Sequence, residues 1–223
     1  MRYAIGDIHG GKRTFQGMLS KISLRKGDCL YLLGDYIDRG PDSRGVLDTI
    51  ISLLNAGYDA RPLMGNHEDM LLKNISGDHD AWSRYWQEMF GTETLSSFEV
   101  STPAEIPAHY LNFLGSLKLV ATEKDFILVH AGLNFIVDDP LKETAPFQCL
   151  WLESGYVQKD KLGGRALLTG HTVTTMGQIT ESLRSPKICL DNGAFTNRPP
   201  DYGNLVALNL DSQELICQPW IDN

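Results

Sequence analysis

Six residues of kinds that bind divalent cations stand just after short apolar runs: Asp7, His9, Asp35, Asn66, His130 and His171. They offer two carboxylates, one amide oxygen and three imidazoles. Oxygen and nitrogen donors without thiolate suit Mn²⁺, Fe or Zn²⁺ better than copper(I) or an iron–sulfur cluster. Asp7 and His9 are two residues apart, so an extended segment turns both to the same side. A carboxylate can bridge two cations, and Asp35 is the natural candidate for that bridge. Two cations about 3.5–4 Å apart could hold a hydroxide between them and clamp a phosphoryl group for in-line attack. Bound cations also lower the pKa of water, which makes hydroxide available near neutral pH.

Three further residues fit the same chemistry. His67 directly follows Asn66 and could protonate a departing oxygen. Asp38, three residues after Asp35, could orient that imidazole. Arg39 offers a planar fork for bidentate phosphate binding. The expected site therefore has Asp7, His9, Asp35, Asn66, His130 and His171 as metal ligands, with His67, Asp38 and Arg39 as its catalytic group. Arg39, Asn66 and His67 are the expected substrate contacts.

These residues must be positioned by the elements before them. Short apolar runs recur at Tyr3–Ile5, Cys29–Leu33, Ala60–Met64, Phe126–Val129, Ala166–Leu168, Ile188–Leu190 and Leu205–Leu210. They are continuous rather than alternating, as expected of strands buried on both faces. Helical patterns lie between the early runs, one of them over 43–55 after Pro41-Asp42-Ser43 and before Gly57. Another opens at Asn66. Five of the runs end in polar, glycine-bearing motifs: Gly6-Asp7-Ile8-His9-Gly10, Gly34-Asp35-Tyr36-Ile37-Asp38-Arg39-Gly40, Gly65-Asn66-His67-Glu68, His130-Ala131-Gly132 and Gly170-His171-Thr172. In open α/β sheets ligands bind beyond the carboxyl ends of strands, so the motifs should converge. Trp82, Tyr85, Trp86 and Phe90 recur at helical spacing and read as the core side of a helical cap over about 70–98.

Composition agrees with a globular α/β protein. The chain has 223 residues, 42% hydrophobic and 22% charged, with no repeat or linker, and reads as one domain over 1–223. The net charge of −8 argues against a nucleic-acid partner, which needs a basic face. No apolar run reaches the roughly 18 residues of a membrane span. The start of the chain carries no secretory pattern, so a cytoplasmic protein is expected. Cys29, Cys149, Cys189 and Cys217 are scattered and read as small apolar side chains, not as disulfides or zinc ligands.

The ordered motifs GDIHG, GDYIDRG, GNHE, HAG and GHT resemble the signature of the phosphoprotein phosphatase family of metallophosphoesterases. Within it they look nearest to the small bacterial and phage (lambda-like) serine/threonine protein phosphatases. The resemblance spans residue 3 to about 210. It implies a four-layer αββα fold, a central β-sandwich flanked by helices, and the metal, acid, orienting and phosphate-binding roles given above, with two divalent metals, Mn²⁺ first and Fe or Zn²⁺ as alternatives. Two positions depart from the family pattern. Met64 and the Trp151-Leu152-Glu153 stretch stand where arginines are usual. Arg61, Arg165, Arg184 and Arg198 could each replace one of them. The expected activity is hydrolysis of phosphate monoesters, with a phosphorylated protein or a small phosphorylated molecule as substrate. Serine/threonine protein phosphatase is the first reading, symmetrical dinucleoside tetraphosphate hydrolase the alternative, and a non-catalytic phosphate-binding scaffold the third. His79 and His109 read as surface residues, and Asp28, Asp42 and Asp48 as turn or cap residues. Asp191 reads as a support near the site, outside the ligand set.

Overall fold

Side chains alternate along a strand, and the first strands are apolar on both faces. β1 (Arg2–Ile5) sends Tyr3 and Ile5 into one buried cluster and Ala4 into another. β2 (Cys29–Leu32) repeats this, with Leu30 and Leu32 on one side and Cys29 and Tyr31 on the other. β3 (Asp59–Pro62) extends the parallel run, Cys29 opposite Asp59. α1 (Lys12–Lys21) and α2 (Ser43–Asn55) make the crossovers. Asp42 caps α2 by accepting from the Gly45 N–H at 2.7 Å.

In the computed structural model, residues 1–77, 81–196 and 200–222 are described, 81–83 by their backbone alone. His79, Arg198 and the side chain of Trp82 lie outside the described residues. After β3 come α3 (Asn66–Ser76), α4 (Ala81–Met89), α5 (Gly91–Phe98) and α6 (Ala108–Gly115). The chain continues through β4 (Val120–Thr122), β5 (Phe126–Val129), α7 (Pro140–Glu143), α8 (Pro146–Trp151) and β6 (Ala166–Thr169). It ends with α9 (Met176–Ser182), β7 (Lys187–Cys189), β8 (Asp191–Asn192), β9 (Asn204–Asn209) and β10 (Leu215–Pro219).

One mixed sheet runs in the order β10-β9-β1-β2-β3, with β8 on β9; a second runs β4-β5-β6-β7. Their facing surfaces share Tyr31, Leu33, Leu128, Leu168, Ile188 and Val206, which makes a β-sandwich core. The outer face of the first sheet packs on α1 to α6 through Phe15, Val46, Met70, Trp86, Phe98 and Tyr110. The outer face of the second is covered by Leu133, Phe135, Cys149 and Leu162. The result is the expected α/β arrangement, two mixed sheets flanked by helical layers. Strands β4, β8 and β10 were not among the expected runs. All three pair antiparallel; β4 and β10 are partly exposed, which interrupts the apolar signal, and β8 is two buried polar residues. No helix among the described residues is long and apolar enough to cross a membrane.

Candidate active site

The carboxyl ends of β1, β2, β3, β5 and β6 all open on one side, and each is followed at once by its polar motif. The chain must turn sharply there. His9, Asp35, Asp38, Arg39 and His171 all have φ between 45° and 70°, the left-handed region that non-glycine residues rarely adopt. Such strain concentrates where a structure needs a side chain aimed at a site. Glycine permits close approach beside two ligands. A Cβ at Gly170 would stand 2.0 Å from an Asp7 oxygen, and one at Gly65 2.2 Å from Asp35 Oδ1.

Asp35 lies centrally, 2% exposed. Its Oδ2 is 3.6 Å from His9 Nε2, and its Oδ1 is 3.4 Å from His130 Nε2. His9 donates Nδ1–H to the Ile37 carbonyl at 3.0 Å, and His130 donates Nδ1–H to the Leu33 carbonyl at 2.8 Å. A carbonyl can only accept, so both rings keep Nε2 free of its proton and turned to the cleft. Asn66, at the start of α3, places Oδ1 2.8 Å from His130 Nε2 and 3.1 Å from His171 Nδ1. Asp7 accepts the His171 N–H at 3.0 Å. The six expected ligands are thus brought together.

Beside them His67 directs Nδ1 to Asp38 Oδ2 at 2.6 Å. Asp38 is fully buried and also accepts from Trp86 Nε1 at 2.7 Å and Thr94 Oγ1 at 2.5 Å. Trp86 therefore belongs to the core, as the helical stripe suggested, but its indole also holds a site carboxylate. Glu68 has a positioning role that the sequence reading missed. Its two oxygens accept from the backbone N–H groups of Asp35, Tyr36, Ile37 and Gly65 at 2.7–3.2 Å. A buried carboxylate thereby ties the β2 turn to the start of α3. Arg39 projects to the mouth, its guanidinium 4.9 Å from the Phe90 centroid and 4.3 Å from that of Phe195.

The electrostatics suit a bound cation. Burial pushes Asp7 well up, and the neighbouring carboxylates Asp191 and Asp35 add to it. Burial pushes Asp191 up to about 6 against a hydrogen bond from the Gly193 N–H. Burial lowers His9 and His130, and it takes His171 to about 4 with His130 alongside. Burial would raise Asp35, but the facing imidazoles of His130, His67 and His9 hold it well below the usual carboxylate range. Crowded carboxylates among imidazoles held neutral are the donor chemistry of a metal site. Among the described residues, two groups have ligand atoms within 4.8 Å of one another: His9, Asp35 and His67, and Asp35, His130 and His171. Asp35 belongs to both. The residues present therefore fit divalent metal ions.

Above the donors is a cleft of about 250 Å³ walled by Tyr85, Phe90, Trp151 and Phe195. Tyr85 and Phe90 face the cleft, Phe90 also packing against the core, whereas Trp86 is fully buried. Neither Met64 nor Glu153 lines the cleft. Met64 is 8% exposed, its N–H bonded to the Lys118 carbonyl, and Glu153 points to solvent. Met64, where the family pattern has an arginine, thus lies away from the cleft, because the chain bends inward between β3 and α3. Arg61 pairs with Asp59 and Glu123, and Arg165 donates to the Glu123 and Leu162 carbonyls. Neither Arg165 nor Arg184 lines the cleft; both border another surface depression. Asp191 does line it, supporting the Gly193 turn as expected.

A family model for calcineurin-like phosphoesterases matches residues 3–187. The chain belongs to that family. Among curated members, a symmetrical bis(5'-nucleosyl)-tetraphosphatase from Nitrosomonas europaea is 33% identical over 132 residues, 59% of this chain and 44% of the relative. One from an Acidovorax species is 45% identical over 76 residues, 34% of this chain and 26% of the relative. The matches thus span less than half the length of these phosphoesterases. A crystal structure of a putative diadenosine tetraphosphatase superimposes with a TM-score of 0.68 at 20% identity, covering all of this chain and 94% of the other. A protein serine/threonine phosphatase from Saccharomyces cerevisiae gives 0.69 at 15%, covering all of this chain and 80% of the other. At those identities the two structures speak for the phosphoesterase fold alone. The expected closeness to lambda-like protein phosphatases gives way to the tetraphosphatase likeness among curated relatives.

Proposed function

We propose that this chain is a metal-dependent cytoplasmic hydrolase of dinucleoside polyphosphates that cuts a symmetrical tetraphosphate into two nucleoside diphosphates. The observation that carries this reading is the likeness to symmetrical bis(5'-nucleosyl)-tetraphosphatases, 33% identical over 132 residues. The cleft agrees with it. Tyr85, Phe90, Trp151 and Phe195 give a nucleobase apolar ring surfaces to lie on, which a phosphorylated serine has little use for.

In this reading Asp7, His9, Asp35, Asn66, His130 and His171 hold two divalent ions, with Asp35 reaching both. Mn²⁺ is the first choice, Fe or Zn²⁺ the alternatives. Such ions lower the pKa of water and offset phosphate charge. Arg39, Asn66 and His67 meet the substrate phosphates. Burial pushes His67 down, but nearby Asp35 and hydrogen-bonded Asp38 more than offset it and hold the imidazole above its ordinary value. Its Nε2 proton is then available to the departing oxygen, while Asp38, held by Trp86 and Thr94, fixes the ring. The helices over 70–98 act as a cap that brings Tyr85 and Phe90 to the cleft, and the whole of 1–223 works as one domain.

A side-by-side assay with Mn²⁺ on diadenosine tetraphosphate, a phosphoserine peptide and p-nitrophenyl phosphate tests the reading. The expected result is the highest kcat/KM on the dinucleotide, with ADP as its nucleotide product. Faster turnover of the phosphopeptide would restore the protein phosphatase reading.

A further inference from the structure

Several cations of this fold are held by carboxylates. Arg2 pairs with Glu123 and Asp211, Arg61 with Asp59, and Lys12 with Asp42. Arg39 is different. Its guanidinium makes no hydrogen bond or ion pair with any described residue and lies instead between two rings, 4.9 Å from Phe90 and 4.3 Å from Phe195. A carboxylate partner would cancel its charge and occupy its N–H edges, whereas a ring face attracts the cation and leaves those edges open. The rings come from separate parts of the chain. Phe90 closes α4, and Phe195 follows β8. Each touches a second site residue as well: Phe90 lies 4.8 Å from the His67 ring, and Phe195 stands edge-on to His9 at 4.9 Å.

We infer that Phe90 and Phe195 form an aromatic clamp that positions Arg39 to receive a phosphate group, and that it serves in place of the additional arginines usual in this family. This rests on the reading of Arg39 as a phosphate-binding residue. The clamp explains how an exposed arginine on a strained backbone, φ 68°, keeps one orientation without a polar partner. A flexible cation must surrender rotamer freedom on binding, and one already stacked surrenders less. The two rings are positioning residues, since they act on phosphate only through the guanidinium.

The test uses the metal-loaded full chain, with inorganic phosphate as the probe, by calorimetry and as a competitive inhibitor of p-nitrophenyl phosphate hydrolysis. A cation–π contact at an exposed site corresponds to roughly a two- to fivefold effect. Phe195→Leu and Phe90→Leu should each weaken phosphate binding by about that factor, and the double variant by about tenfold. The change should appear in KM rather than kcat. Metal content should stay constant, and Phe195→Tyr, which keeps the ring, should restore affinity. In an Arg39→Ala background the leucine variants should add nothing, because contacts that act through one group are not additive. If they cost as much there as in the parent chain, the rings support the histidines instead and the clamp is overturned. If the leucine variants bind phosphate normally while Arg39→Ala does not, the clamp alone fails. If Arg39→Ala binds phosphate as well as the parent does, the phosphate reading of Arg39 fails, and the clamp with it.

Discussion

His67 Nδ1 lies 2.6 Å from Asp38 Oδ2, and that carboxylate is itself gripped by Trp86 and Thr94. The imidazole is thereby held with Nε2 toward the cleft. A carboxylate so placed fixes both the tautomer and the ring plane. His67→Asn should lower kcat by roughly 10²–10⁴ on an alkyl phosphate, whose leaving oxygen needs a proton. The loss should be far smaller on diadenosine tetraphosphate, since a phosphate leaving group has a pKa near 6. Although His67 lies within ligand distance of His9 and Asp35, metal content should be unchanged. Equal losses on both substrates, or loss of metal, would remove His67 from the acid role.

Asp35 faces His9 with one oxygen and His130 with the other, at 3.6 and 3.4 Å. Mn²⁺ at about 100 times its Kd should stabilise the folded chain by about 2.7 kcal/mol. For a domain of this size that raises Tm by roughly 5–10 °C. Asp35→Asn should abolish most of that rise, and elemental analysis should show fewer than two metals per chain. A full Mn²⁺ shift in the variant would rule out a bridge at Asp35.

Glu68 receives the backbone N–H groups of Asp35, Tyr36, Ile37 and Gly65. Glu68→Gln replaces one acceptor oxygen with a donor facing two donors. Leaving buried N–H groups unpaired costs about 1–3 kcal/mol each. The variant should melt at least several degrees lower and bind metal more weakly, because the Asp35 turn is no longer tied to α3. Unchanged melting and unchanged Mn²⁺ affinity would show that the turn holds itself.

The parts of this site that were legible in the sequence are those where a chemical residue type follows an apolar run and a glycine. Asp7, Asp35, Asn66 and His171 obey that local rule, His130 follows its run directly with Gly132 two residues on, and parallel strands bring the ends together. Glu68, Trp86, Thr94 and Phe195 were not legible as site residues. Their contacts join distant parts of the chain, from Thr94 to Asp38 and from Phe195 to His9, and are set by how the helices and the segment after β8 pack over the site. Met64 lies away from the cleft for a related reason. The run Ala60–Met64 reads as one strand reaching the cleft, but β3 stops at Pro62 and Met64 turns inward.

At the opposite end of the sheets, Glu123 meets Arg2 at 3.0 Å, Arg61 at 3.2 Å and the Tyr31 hydroxyl. Burial would raise its pKa, but the hydrogen bonds from Tyr31 and Arg2 prevail and hold it below the ordinary value. A carboxyl lowered on folding contributes stability above its unfolded pKa, near 4.3, and loses it as pH falls through the lower folded value. Glu123→Gln should therefore lower stability at pH 7 by roughly 1–3 kcal/mol. It should also flatten the decline of Tm below about pH 4.3. A parallel acid decline in variant and parent would show that Glu123 is not responsible.

Trp151 and Tyr85 stand on the cleft wall, Trp151 edge-on to His171 at 6.0 Å and Tyr85 edge-on to Phe90 at 5.3 Å. If a nucleobase lies against them, their removal should affect the dinucleotide and spare a small ester. Stacking of a base on an aromatic side chain corresponds to about 1–3 kcal/mol, so the KM for diadenosine tetraphosphate should rise at least about fivefold in Trp151→Ala and in Tyr85→Ala. The kcat/KM for p-nitrophenyl phosphate should change less than about twofold, and Trp151→Phe should keep most of the dinucleotide affinity. Because Trp151 also stands against His171, Tyr85→Ala on the other side of the wall gives an independent comparison. A proportional loss on both substrates in Tyr85→Ala would mean that the wall shapes the catalytic group. The preference for a dinucleotide would then have to come from elsewhere in the chain.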